Sequence, residues 1–174
     1  VNGSSLTFSN AGLNLDFGNY TEANFSVTGE NSEIVFNGKY GYELGAKTVL
    51  NFKADTVIFK NGTTAIDRSG GGQNVNFSGD VLFTGEYSDQ IWYGRSNSDY
   101  NVTVGGEMAF RDVTAAVAIH DWNVDLVVPE LIVENGTFNS TGLTSAMLFI
   151  DSTVRGSAGQ SGVGSITLKN IHGA

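Results

Sequence analysis

The sequence predicts an all-β chain: a single-stranded, right-handed parallel β-helix of about six coils, each of about 25 residues and three short strands. Three observations predict it. First, apolar–polar–apolar runs begin at Phe25, Leu50, Val75, Val102 and Leu126, at steps of 25, 25, 27 and 24 residues. A fixed period in this range marks stacked repeats. Second, each run leads to an acid at one turn position: Glu30, Asp55, Asp80, Glu107 and Glu130. Third, no window keeps helical three–four spacing with caps, and the chain holds 23 Gly in 174 residues. An antiparallel sandwich also uses short strands, but it does not require equivalent residues at a constant step. The right hand follows from the strong preference of parallel crossovers.

Within each repeat the first strand is the apolar–polar–apolar run itself, as in Val75-Asn76-Phe77. After the acid comes a second strand: Ile34-Val35-Phe36, Val57-Ile58-Phe59, Val81-Leu82-Phe83, Met108-Ala109-Phe110 and Leu131-Ile132-Val133. Asn or Gly then marks a turn, because both tolerate positive φ. The third strand follows in Ala65-Ile66-Asp67, Ile91-Trp92-Tyr93, Val117-Ala118-Ile119 and Met147-Leu148-Phe149-Ile150. Three turn-bounded strands make one triangular coil, with alternate side chains inside and out. Phe36, Phe59, Phe83 and Phe110 should stack in the core, and six coils give a rod about 30 Å long.

By size the chain, residues 1–174, is one β-helix domain with a continuous interior and no linker. It starts at Val1 and reads as a fragment of a longer surface protein. Its single Pro, Pro129, falls at a turn position. A net charge of −9 and scattered basic residues argue against nucleic acid and anionic membranes as partners. With no Cys there is no disulfide or thiol chemistry, and no apolar stretch is long enough for direct membrane insertion of this segment.

The coils built on Val75-Asn76-Phe77-Ser78-Gly79-Asp80-Val81-Leu82-Phe83-Thr84-Gly85 and on Leu50-Asn51-Phe52-Lys53-Ala54-Asp55 resemble passenger segments of Gram-negative autotransporters, and more broadly pectin-lyase-like β-helices. The resemblance spans roughly residues 6 to 171 and lies in the style and period of the repeat. It implies export to the extracellular face of the bacterial outer membrane. It also implies adhesion to a host or bacterial cell-surface glycan or protein, or self-association.

The candidate chemistry is sparse. A stacked acid row at Glu30, Asp55, Asp80, Glu107 and Glu130 could suit calcium, but the same acids serve equally as solvated turns, and no metal site is expected. Asp67, Asp121 and Asp151 end third strands, with Arg68, Arg95 and Arg155 nearby, and a lyase or glycosidase would place its carboxylates there. The ordinary reading is that polar residues end strands and pair weakly across coils. His120-Asp121 has no Ser, Cys or second His to complete a constellation, and Ser69-Gly70-Gly71-Gly72-Gln73 lacks the Lys of a phosphate loop. The expectation is therefore no enzyme and no cofactor. Eight Asn-x-Ser/Thr sequons, including Asn24 and Asn76, follow from strands that alternate Asn and Ser outward with Phe inward.

Departures from the repeat point to binding. Two segments interrupt it, Glu86-Tyr87-Ser88-Asp89-Gln90 and Gly94-Arg95-Ser96-Asn97-Ser98-Asp99-Tyr100, and both Trp lie close by. Tyr93, Arg95, Tyr100, His120 and Trp122 form the expected patch, since aromatic rings with polar neighbours suit sugar and protein surfaces. The expected function is a surface adhesin segment. The alternatives are a carbohydrate-active enzyme on the same fold and a purely structural stalk.

Overall fold

The computed structural model describes residues 5–9, 13–62, 64–68, 72–88, 90–94, 100–121, 124–139, 148–150 and 162–173, with the backbone alone at 13–14, 65–68, 93–94, 120–121 and 148–150. Strands wind in coils. The first coil holds β1 (Ser5–Ser9), β2 (Leu13–Phe17) and β3 (Glu22–Ser26), and the second β4 (Glu33–Asn37), β5 (Tyr40–Leu44) and β6 (Val49–Lys53). The third holds β7 (Thr56–Lys60), β8 (Thr64–Arg68) and β9 (Gln73–Phe77), and the fourth β10 (Asp80–Glu86), β11 (Gln90–Gly94) and β12 (Tyr100–Val104). The fifth brings β13 (Glu107–Ala115), β14 (Val117–Asp121) and β15 (Val124–Glu134). Beyond them lie β16 (Thr137–Phe138), β17 (Leu148–Ile150), β18 (Val163–Lys169) and β19 (His172–Gly173).

Every strand pairing among the described residues is parallel, and each strand pairs with its equivalents one coil away. The chain is thus an all-β parallel solenoid, as the repeat predicts. Face A stacks β1, β4, β7, β10, β13, the second half of β15 and β18; face B stacks β2, β5, β8, β11, β14 and β17. Face C stacks β3, β6, β9, β12 and the first half of β15. Four full turns, running from β4 into the first half of β15, have a coil on both sides. They are flanked by half-exposed or partly described end coils, so full turns number fewer than the expected six.

The interior is ring upon ring. Phe36, Phe59, Phe83 and Phe110 stack nearly parallel from coil to coil, with centroids 5.2, 5.1 and 4.6 Å apart. A second pile, Phe25, Phe52 and Phe77, meets it edge-on, with spacings of 5.2 and 4.9 Å. The strand spacing sets these distances, and they fall within the range where offset rings attract. Phe25 pairs with Phe52, so the first of the five repeat segments sits two residues out of the alignment read from its acid; Leu50, Val75, Val102 and Leu126 share one row as expected.

Corners are built from residues that accept positive φ. Asn61, Asp112, Asn135 and Asn170 repeat it at A-to-B corners, with φ of 56, 53, 54 and 52°, and Gly85 takes the corner between Asn61 and Asp112 with φ of 97°. Their amides join neighbouring corners: Asn61 donates to Asn37, Asn135 to Asp112 and Asn170 to Asn135. Pro129 lies inside β15, where that strand leaves its face C partner β12 and takes up its face A partner β13. A missing N–H is tolerated at this corner because neither ladder uses it.

Candidate functional site

The interruption lies at the corner between faces B and C, and the strands around it fix what can be said of each expected residue. Trp92 opens inward and is buried beneath Phe83, whose ring it meets edge-on at 6.0 Å. Its Nε1 donates to the Tyr100 hydroxyl at 3.0 Å. Tyr100 begins β12 in the inward row shared with Gln73 and Val124, and only 1 % of it is exposed. Tyr100 is therefore core, and the exposed patch expected to include it does not have its ring. The physical reason is alternation: a strand that begins at Tyr100 and turns Val102 and Val104 inward must also turn Tyr100 inward. The Trp92–Tyr100 bond ties the two ends of the segment between them.

Tyr93 and His120 are register partners, and Tyr93 also pairs with Ala65, so the expected neighbours do stand one strand apart along the backbone. Arg95 and Trp122 lie outside the described residues. The other interrupting segment, which opens with Glu86-Tyr87, behaves differently. Tyr87 plugs the interior, and its hydroxyl donates to the Phe59 carbonyl at 2.8 Å and reaches the Thr84 carbonyl at 3.1 Å. Burial pushes the Tyr87 hydroxyl well above the ordinary phenol range.

The interior near this corner is more polar than sequence alternation alone suggests. Thr48 is buried, and its one hydroxyl proton has two carbonyls in reach, Gly45 at 2.8 Å and Gly18 at 2.9 Å, of which it serves one at a time. Gln73 is buried one coil above Thr48, and its Nε2 donates to the Leu44 carbonyl. The Tyr42 hydroxyl and Thr64 Oγ1 are enclosed without a hydrogen-bond partner.

The turn acids have structural work. Asp55 Oδ2 accepts from the Ser32 N–H at 3.0 Å, while Ser32 Oγ accepts from the Asp55 N–H at 2.9 Å, a reciprocal clasp between coils. Asp80 Oδ1 accepts from the Glu107 N–H at 2.9 Å. Among the described residues no group of three His, Asp or Glu is gathered to hold a metal. The third-strand acids do not line up. Asp67 lies two residues past the Ala65–Tyr93–His120 row and pairs with Glu43, whereas Asp121 lies one residue past that row. Asp151 is outside the described residues.

No family model matches the chain, and no curated protein sequence or solved structure matches it either.

Proposed function

We propose that the chain is a binding segment of a surface-exposed or secreted bacterial adhesin of the autotransporter-passenger kind, and not an enzyme. One observation carries the reading most. At the B–C corner of the fourth coil, Tyr93 and His120 pair in register next to the five-residue interruption between Gly94 and Tyr100, against four residues at the corresponding corners of the second and third coils. The repeated positions hold coils together, so selectivity has to come from what departs from them. Tyr93, Arg95, His120 and Trp122 are the residues we assign to contact with a cell-surface glycan or protein. No catalytic role is assigned to Asp67 or Asp121, which stand in different rows of face B.

The test changes Arg95→Ala and Trp122→Ala separately, verifies the fold by circular dichroism, and measures cell and glycan binding against the parent chain. Loss of binding in both is the expected result. Unchanged binding in both removes the patch and leaves a structural stalk as the better description.

A further inference from the structure

Face A breaks the alternation that face C keeps. Face C turns Asn24, Asn51 and Asn76 outward in one hydrogen-bonded row. On face A the equivalent middle outward row is apolar over five consecutive strands: Val35, Ile58, Leu82, Ala109 and Ile132 stand in register, between Thr7 and Thr167 at its two ends. Ile58, Ala109 and Ile132 are buried, yet none belongs to the interior cluster. Parallel strands read as continuous apolar runs when both of their faces are covered. Ile34-Val35-Phe36, Val57-Ile58-Phe59 and Val81-Leu82-Phe83 are such runs.

Part of the row is covered from within the chain. Arg111 pairs with Glu107 across Ala109 on the same strand and also with Glu134, which Lys169 joins. This ionic roof lies over Ala109 and Ile132 and, through Lys169 and Arg111, holds the Glu134 carboxyl below its usual range. No ion pair crosses Val35, Ile58 or Leu82 among the described residues. The two edges of the row differ in sign. One edge carries Glu33, Thr56, Asp80, Glu107 and Glu130; the other carries Asn37, Lys60, Thr84, Arg111, Glu134 and Lys169.

We propose that face A is a contact between two copies of this chain, packed face to face with their long axes parallel. The edge charges select both the partner and the orientation. A two-fold axis running along the rods lays the acidic edge of each copy over the Lys60 edge of the other. Lys60 stands level with Thr56, between the levels of Glu33 and Asp80, so it meets two carboxylates about one strand spacing away on either side. A two-fold axis across the rods would set acids on acids, which costs affinity. The apolar row runs about 19 Å along the rod over four strand spacings, and Ile58, Ala109 and Ile132 are already buried within the single chain, so each contact is small and weak and gains from repetition on a crowded surface. This contact uses a different face from the B–C corner and stands whether or not that corner binds a ligand.

The experiment uses sedimentation equilibrium of the parent chain over a wide concentration range. The expected result is a reversible dimer. Leu82→Lys should abolish it, and Lys60→Glu and Glu33→Lys should each weaken it by at least about tenfold. An equimolar mixture of the last two should restore it, because each mismatch is then matched. The chain has no Cys, so Val35→Cys gives a single thiol for a short thiol–thiol cross-linker; parallel packing predicts Val35-to-Val35 cross-links. Circular dichroism checks that each variant folds. A monomer throughout the range overturns the proposal, as does a dimer indifferent to Leu82→Lys. Failure of the charge swap, or absence of the Val35 cross-link, overturns the parallel arrangement. A monomer whose Val35→Cys thiol resists a maleimide would show that another part of the chain covers the row, and that too overturns the second copy.

Discussion

At Phe83 the chain shows how little freedom a stacked ring has. Its ring lies between those of Phe59 and Phe110 and against Trp92, with no exposed surface. Phe83→Ala should cost about 3–5 kcal/mol in chemical denaturation, since the coils above and below hold the cavity open. Tyr42 makes the opposite prediction. Its buried hydroxyl has no partner, and burial raises its pKa well above the ordinary value. Tyr42→Phe should therefore be neutral or stabilise by about 1 kcal/mol, measured the same way. Tyr42 and Tyr87 also set a pH dependence. Both are raised in the folded state, so their contribution is full below the unfolded phenol pKa, about 10, and is lost as pH rises above it. Stability followed by denaturant midpoint should fall above about pH 10, and less steeply in Tyr87→Phe if that variant folds. Much of this scale was legible in the sequence. The Phe stack follows from period alone, whereas the choice between Trp92 and Tyr93 as the inward ring does not, because a two-residue period has no absolute phase. The hydroxyl of Tyr100 and its bond to Trp92 were hidden for the same reason: a polar tip on an aromatic ring looks like surface until a strand start fixes its side.

The corners are where element-level argument gains most. Asn61 combines a left-handed backbone with two amide bonds, one to Asn37 in the coil below and one from the Glu86 N–H in the coil above. Replacing it separates the two duties. Asn61→Gly keeps the conformation and loses the bonds; Asn61→Ala loses both, and should be the less stable of the pair by about 1 kcal/mol. Thermal melts of the two variants side by side check this. Gly62 is held by close approach instead, since a Cβ there would lie 2.3 Å from the Gly38 carbonyl carbon, so Gly62→Ala must displace the coil below. These corners were only half visible beforehand. Asn-Gly pairs announce a turn, but the register between coils depends on inserted residues. The shift at Phe83/Gly85 in the β10–β13 ladder and the two-residue offset at Phe25 both escaped a count of spacings. That offset logic also separates Asp67 from Asp121, which stand at similar places in their runs but in different rows. The outward apolar row of face A was present in the triplets from the start, yet an apolar triplet does not say which side its middle residue takes.

For the molecule as a whole, repetition decides both what is robust and what is distinctive. A circular-dichroism spectrum should show strand and almost no helix, as the parallel coils require. Incubation with polygalacturonate, other plant and host glycans, and peptides, with and without calcium, should release no product. Turnover lost on changing Asp67 or Asp121 would favour the carbohydrate-active alternative. Function was less legible than fold because a repeat writes scaffold into every coil, while a binding surface occupies a few positions once. The coil-on-coil ladders have a mechanical consequence as well. A load applied along the rod pulls on the hydrogen bonds of all three faces of a coil at once, in the direction those bonds point. Each coil must then give way as a unit and pay out its own length of chain, about 8 nm for 25 extended residues. Stretched between two anchored ends, the solenoid should lengthen in a series of equal steps, a shock absorber whose stroke is set by the repeat.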